Sequence, residues 1–561
     1  MQYKTFLLLL ILVTHTYCAE NPIVELPTGK IQGRLITTFA NKTYYTFRKI
    51  PYATSPVGSL RFKAPQPAQK WDGILNTTSI DVSCYQLQIN QPSDSEDYLF
   101  LNVHTPELPE NDPKVSFPVM LYINGGGFMQ GSSIFAPPDL FVNHDVILVT
   151  INYRLGAFGF LSTEDEVIPG NNGLKDQRLA IQWTHENIHL FGGNPEKITI
   201  FGQSAGSGSV AYQLLNQESS GLFAGAILES GTFLSPWALQ RNARQIAFRT
   251  AALLNSSFSA SNDSTALLDY LQGVKAEDLD AAAEQYVLKV STLWEYDNPQ
   301  GYFYVPVLEV KNPDAFITRK MYGLLKAGNI IKVPIIIGFN SEESIAFHQD
   351  PSVYQSVLEA WDANLDLIVP IDMRITDPEK QSEMARSVRD IYTEGEPFGN
   401  RLGDAIRYAS DNGFTRSIIK HAELYSAFAE TYFYQFSYDG KTGGISVHYD
   451  GAESVGHSEE VLYLLCSGEG CNYSKVSEND SITSERLIKL WTDFAKFQNP
   501  TPEESELLQN ITWPPLSVVG GDFLYLDINE NLEIKNHPKS ATFGKWNELY
   551  DALGYSDFDT Y

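Results

Sequence analysis

One serine in this chain stands where it can act as a nucleophile. Gly202-Gln203-Ser204-Ala205-Gly206 is a G-x-S-x-G pattern. The preceding residues 198–202 (ITIFG) read as a strand, and the residues that follow read as a helix. A tight strand-to-helix turn needs small residues on both sides of the serine and lifts its hydroxyl into solvent. The Oγ then sits at a helix N-terminus, where partial positive charge favours a developing anion. The pentapeptide alone arises by chance; the strand–turn–helix setting gives it weight. The chemistry implied is acyl transfer, which also needs donors for an oxyanion. Gly125-Gly126-Gly127-Phe128 follows a predicted strand at 119–124 (VMLYIN), and glycine lets backbone N–H groups approach a substrate oxygen closely, with Ala205 offering a third N–H.

The serine needs a base, and the base an orienting acid. The chain has ten histidines. In enzymes built on this motif the chain order is nucleophile, acid, histidine. That order leaves His348, His421, His448, His457 and His537, and spacing alone does not choose among them. His457 lies in a loop-like Gly/Ser/Glu segment just before the apolar run 461–465.

The elements that must position these groups are legible as apolar runs. Residues 119–124, 146–153 (VILVTINY), 198–202, 333–338 (VPIIIG) and 431–438 (TYFYQFSY) read as strands. Residues 174–190 read as a helix, with Leu179, Trp183 and Ile188 near one face. Strands alternating with helices indicate βαβ units and a mostly parallel sheet. Ligands of such sheets bind beyond the strand C-termini, where these glycines and acids fall. The 561 residues are 43% hydrophobic and 19% charged, with no repeat or low-complexity linker, so a single large α/β domain is expected.

The net charge of −28 would repel phosphates, which argues against nucleic acid or an anionic membrane surface as partner. The N-terminus reads as a signal peptide over residues 1–18, with 19–561 as the mature domain. Lys4 supplies the positive region, and residues 6–13 form an apolar stretch far short of the roughly 20 residues that span a bilayer. Cleavage falls after Cys18 or Ala19. No stretch reads as a membrane anchor, so a secreted, extracellular protein is expected. Glycosylation sequons at Asn41, Asn76, Asn255, Asn262, Asn472, Asn479 and Asn510 agree with that route. Cys466 and Cys471 are close enough in sequence for a small loop disulfide, a matter for geometry rather than sequence. No Cys or His pairs fall at zinc-ligand spacing, and this chemistry requires no metal or organic cofactor.

The chain resembles the type-B carboxylesterases, which include cholinesterases and insect esterases. The resemblance rests on Ile50-Pro51-Tyr52-Ala53, Leu60-Arg61-Phe62, Asn152-Tyr153-Arg154-Leu155-Gly156, Asn172-Gly173-Leu174-Lys175-Asp176-Gln177 and Phe191-Gly192-Gly193, together with residues 201–206. It implies an α/β-hydrolase fold, with Ser204 as nucleophile, Glu343 as acid in preference to the adjacent Glu342, and His457 as base. It further implies an oxyanion hole of Gly126, Gly127 and Ala205, and two structural ion pairs, Arg61 with Glu96 and Arg154 with Asp176. The chain departs from the family pattern at several loop positions. Asn124 stands where many members have histidine before the glycines. Ser344 and Ser454 replace glycines near the acid and the base. Tyr98 replaces a disulfide cysteine, which leaves Cys84 without its usual partner.

Gln203, the neutral neighbour of Ser204, is a substrate-pocket residue in this reading. Cholinesterases carry glutamate there, which favours cations, so choline esters are not expected. The Gly-Gln-Ser-Ala-Gly form looks like that of insect juvenile hormone esterases, and related insect esterases that degrade odorants, pheromones or xenobiotics carry similar motifs. Both groups imply hydrolysis of neutral, apolar carboxylic esters through an acyl-enzyme, with juvenile hormone methyl ester as one such substrate. The contrasting expectation is a non-catalytic recognition module on the same fold, which forms when the triad is lost. The sequence carries no signal for an oligomeric state.

Overall fold

The apolar runs build one twisted sheet. The structure is a computed structural model and describes residues 21–80, 82–86, 94–290, 302–465, 476–516 and 522–561. The sheet strands are β1 (Arg34–Thr37), β2 (Thr43–Pro51), β3 (Phe100–Thr105), β4 (Phe117–Ile123), β5 (Ile147–Ile151), β6 (Gly193–Gln203), β7 (Gly225–Glu229), β8 (Ile335–Asn340), β9 (Thr431–Phe436), β10 (Leu524–Ile528) and β11 (Leu532–Asn536). Their spatial order is β11-β10-β9-β8-β7-β6-β4-β5-β3-β2-β1. The run from β10 through β5 is parallel, and antiparallel pairs close both edges. A three-stranded sheet of Ile23–Leu26, Gly29–Gln32 and Ile74–Asn76 lies outside it.

Parallel strands covered on both faces read as continuous apolar runs, and alternate residues serve opposite layers. Ile335 and Ile337 of β8 join one core layer, while Ile336 between them joins the other. On β4, Val119, Leu121 and Ile123 likewise oppose Met120 and Tyr122.

Pairing, more than hydrophobicity, sets the strand ends. The run expected at 333–338 forms strand from Ile335 to Asn340, because Phe339 and Asn340 pair with Gln435 and Phe436 of β9. The run expected to reach residue 438 ends at Phe436, since its partner β10 ends at Ile528 and Ser437 N–H makes the last ladder bond to Ile528 O. The helix expected at 174–190 is α1 (Asn172–Asn187), closed by a 3₁₀ turn at Ile188–Phe191. Its buried side is centred on Leu174, Ala180, Ile181 and Trp183, and Leu179 is only half-buried.

The remaining helices that matter for the site are α2 (Ala205–Leu215), α3 (Leu402–Ser410), α4 (Arg416–Tyr425) and α5 (Glu459–Leu464). A single π turn, Asp411–Thr415, joins α3 to α4. Two buried arginines tie loops to this frame. Arg61 grips Glu96 through Nε (2.7 Å) and Nη2 (2.5 Å), and its Nη1 donates to the carbonyls of Leu271 and Val274. Arg154 grips Asp176 through Nε (2.8 Å) and Nη2 (2.6 Å) and donates to Lys63 O. Such forked pairs fix orientation as well as charge.

Cys84 is an unpaired, buried thiol, pushed up to about 12 by burial, and its Sγ donates to Gly131 O. Among the sequons, Asn41, Asn76, Asn262, Asn479 and Asn510 are exposed, and Asn255 is half-buried, capping Ser257 N–H. Residues 1–18, Cys466, Cys471 and Asn472 lie outside the described residues. No helix among the described residues is long and apolar enough to cross a membrane.

Candidate active site

Three strands of the parallel run end at the site, β4 and β6 side by side and β8 beyond β7. After β6 comes Ser204, after β4 the glycine loop, and after β8 Glu343. Ser204 has φ 59° and ψ −124° and caps α2, which starts at Ala205. That backbone is strained for a residue with a side chain, and it holds because the turn is clamped. Ser204 N–H donates to Glu229 O at 2.8 Å, and Gly208 N–H donates to Ser204 O at 2.9 Å. The flanking glycines are needed for space. A Cβ on Gly202 would lie 2.6 Å from Ile123 O, and one on Gly206 would clash with the same carbonyl.

The loop after β4 folds over this turn. Gly126 (φ 94°) and Gly127 (φ 62°) occupy the left-handed region. Gly126 O accepts from both Met129 N–H and Gln130 N–H, which closes the loop into a tight turn. A Cβ on Gly125 would come within 3.1 Å of Ser204 Cβ, so loop and serine are in direct apposition. Asn124 braces the loop, with its amide donating to Gly125 O at 3.2 Å and its carbonyl accepting from Tyr153 OH at 2.9 Å. At the far end, Gly131 N–H donates to Gln86 Oε1. Ala205, at the first position of α2, has no helical carbonyl to bond, so its N–H belongs to the orphan donors of a helix start.

His457 is singled out among the five histidines left open by the sequence. Its Nδ1 lies 2.6 Å from Glu343 Oε2, and Glu343 is fully buried. The other Glu343 oxygen accepts Asn340 N–H at 2.8 Å. The two loops are stitched by backbone: His457 N–H donates to Glu343 O, Glu342 N–H to Val455 O, and the Asn340 amide to Gly456 O. Glu342 turns away, with its Oε2 accepting Glu453 N–H. His421 is buried against Thr232 and pushed down to about 3 by burial, His348 stacks on Tyr354, and His448 and His537 are exposed.

The ring's other nitrogen, Nε2, faces Gln203 Nε2 at 3.1 Å rather than Ser204 Oγ. Gln203 is only 6% exposed, so its amide addresses the imidazole more than an open pocket. Behind Glu343 lie two further carboxyls. Burial pushes Glu229 up to about 8, and Trp491 N–H donates to it. Burial, then the neighbouring Glu229 and Glu343, push Glu460 well above the carboxylate range. Both therefore favour the neutral form and add little negative charge behind Glu343.

Aromatic rings pack around the imidazole. Phe414 lies 4.6 Å and Phe347 5.4 Å, centroid to centroid, from the His457 ring. Trp237 packs on Phe414, Phe128 and Tyr302, and its indole N–H donates to Gly413 O at 2.8 Å. Tyr302 covers Gly127. Phe347 is 48% exposed. Sequence reading gave no role to Phe414, Trp237 or Asn340. Asn340 sits within the Gly338–Glu343 block and could have been found there, whereas the π turn that aims Phe414 at the imidazole has no sequence signature. Such turns recur at functional sites.

Comparison with known proteins gives one family. The model of the carboxylesterase family matches residues 20–546. Juvenile hormone esterase of Tribolium castaneum is 33% identical, over 89% of this chain and 87% of its own length. Venom carboxylesterase-6 of Apis mellifera is 31% identical, over 93% of this chain and 94% of its own. The crystal structure of juvenile hormone esterase from Manduca sexta, with OTFP covalently attached, superimposes with a TM-score of 0.81. It is 27% identical and covers 95% of this chain and 100% of that one.

Proposed function

The chain belongs to the carboxylesterase family, a single α/β-hydrolase domain that hydrolyses carboxylic esters, and on that premise we propose that Ser204, His457 and Glu343 are its catalytic triad and that its substrates are neutral, apolar esters. The observation that carries the triad is the 2.6 Å His457–Glu343 contact beside a serine held at positive φ between strand and helix.

The mechanism follows from these groups. Glu343 accepts a hydrogen bond from Nδ1–H without taking the proton, which leaves the Nε2 lone pair free to take the proton of Ser204 Oγ. The oxygen attacks the ester carbonyl. The N–H groups of Gly126, Gly127 and Ala205 receive the negative charge that forms on the carbonyl oxygen. His457 then gives its proton to the leaving alcohol. Water, deprotonated by the same nitrogen, releases the acid and restores the serine. Each step moves one proton through one nitrogen, so no cofactor enters. Ser204→Ala is expected to abolish acyl-enzyme formation. Stoichiometric organophosphate labelling of that variant at the active site would overturn the assignment.

Gln203 beside the nucleophile and the rings of Trp237, Tyr302, Phe347 and Phe414 support the substrate class, because an uncharged aromatic surface favours apolar groups. Juvenile-hormone-type methyl esters are the leading members of that class, in keeping with the named relatives. A kcat/KM panel of such methyl esters, volatile acetates and choline esters tests this. Preference for choline esters would refute it. The reading includes export through the signal at 1–18, with glycans at the exposed sequons.

A further inference from the structure

Gln203 is a polar neighbour of the imidazole to which the mechanism above gives no step. It ends β6 in register with Glu229 of β7, is 6% exposed, and brings its amide nitrogen to 3.1 Å from His457 Nε2. Its backbone is held in place too, since Gly125 packs against its carbonyl. With Nδ1–H committed to the Glu343 carboxylate, Nε2 presents a lone pair, and an amide N–H is the donor that satisfies it.

We propose that Gln203 is a positioning residue that caps the proton-accepting nitrogen of His457 and yields it to Ser204 when an ester binds. The proposal rests on the triad reading above. The cap anchors the imidazole at both nitrogens, so the ring waits in the tautomer that can act as base. Exchange of partners needs only rotation of one side chain, because Ser204 is the next residue in the chain. A neutral amide suits the task. A carboxylate has no proton to donate to the lone pair, and it would instead favour the protonated ring.

The surroundings of the ring add no competing charge at Nε2. Glu343 faces Nδ1 from the segment after β8. Phe347 covers the ring from a 3₁₀ turn at Glu343–Phe347, and Phe414 covers it from the π turn. Asp411 in that π turn is engaged by Tyr392 and Thr415. From α5, Glu459 accepts the N–H groups of Gly456 and Ile445, and Glu460 pairs with Asn340. Glu229 of β7 pairs with Trp491.

The test uses the full enzyme with a 4-nitrophenyl ester and organophosphate titration of active sites. Q203E is expected to move the acidic limb of the kcat/KM profile up by about one pH unit or more, because a carboxylate at that distance favours the protonated ring. Q203M, similar in size and uncharged, loses the second anchor. Its KM is expected to fall roughly five-fold with kcat per titrated site unchanged, the size of one net hydrogen bond that the ester no longer has to displace. A limb position does not depend on enzyme concentration, so a partly folded preparation still reads out. A Q203E limb that coincides with wild type, or a Q203M KM equal to wild type, overturns the cap. Failure of the triad itself is seen separately, as labelling of Ser204→Ala.

Discussion

Replacing Glu343 by glutamine tests the acid with almost no change in shape. Glu343 is fully buried and each of its oxygens accepts a hydrogen bond, from Asn340 N–H at 2.8 Å and from His457 Nδ1 at 2.6 Å. A glutamine has one accepting and one donating end. The Asn340 N–H is a backbone donor at the end of β8 and cannot reverse, so the amide oxygen is expected to stay with it. The amide NH₂ then faces His457 Nδ1, which must become the lone pair, and the ring proton moves to Nε2. A ring in that tautomer has nothing with which to accept the Ser204 proton. In a serine protease triad the analogous acid-to-amide change lowers kcat about 10,000-fold through the same tautomer reversal. We expect a loss of about 1,000- to 10,000-fold in kcat/KM here, or about 4–5.5 kcal/mol of transition-state stabilisation. The assay is hydrolysis of a 4-nitrophenyl ester by wild type, Glu343→Gln and Glu342→Gln, corrected for titrated sites and accompanied by thermal melts. Glu342 points to Glu453 N–H, so its variant should lose far less. Activity of folded Glu343→Gln within tenfold of wild type would refute the tautomer argument.

Three other outcomes follow from the same geometry. Gly206→Ala puts a Cβ into Ile123 O, a backbone atom in the centre of the sheet, and should lower stability by about 1–3 kcal/mol in thermal melts, with loss of titratable sites. Glu229 is raised from 4.5 to about 8 by burial, so its contribution to stability is complete below about pH 4.5, declines as pH rises, and is gone above about pH 8. Glu229→Gln keeps an acceptor for Trp491 and has no such loss, so a Tm advantage over wild type should open between about pH 4.5 and 8 and then level off; parallel curves over that range would refute it. Expressed in insect cells with residues 1–18 in place, the protein should appear in the medium and shift on deglycosylation, through the exposed Asn41, Asn76, Asn262, Asn479 and Asn510; retention inside the cell would refute export.

The sequence by itself determined the local chemistry. Gly202, Gly206, Gly126 and Gly127 announce backbone that no other residue can follow, because the obstacle or the positive φ lies within a few residues or on the adjoining strand. The isoleucines of β8 announce a strand covered on both faces, because a pattern of period two needs only local geometry. The family resemblance placed Glu343 and His457, but the residues alone left five histidines open. Only the tertiary structure decided among them, since the Glu343–His457 contact joins residues 114 apart through two loops stitched by their own backbones. It likewise decided where β8 and β9 end, through pairing with one another. The turn that sets Phe414 against the imidazole, and the amide of Gln203 at Nε2, were also outside the reach of the sequence. Side-chain partners brought together by folding leave no trace in spacing, because the distance that matters is through space and not along the chain.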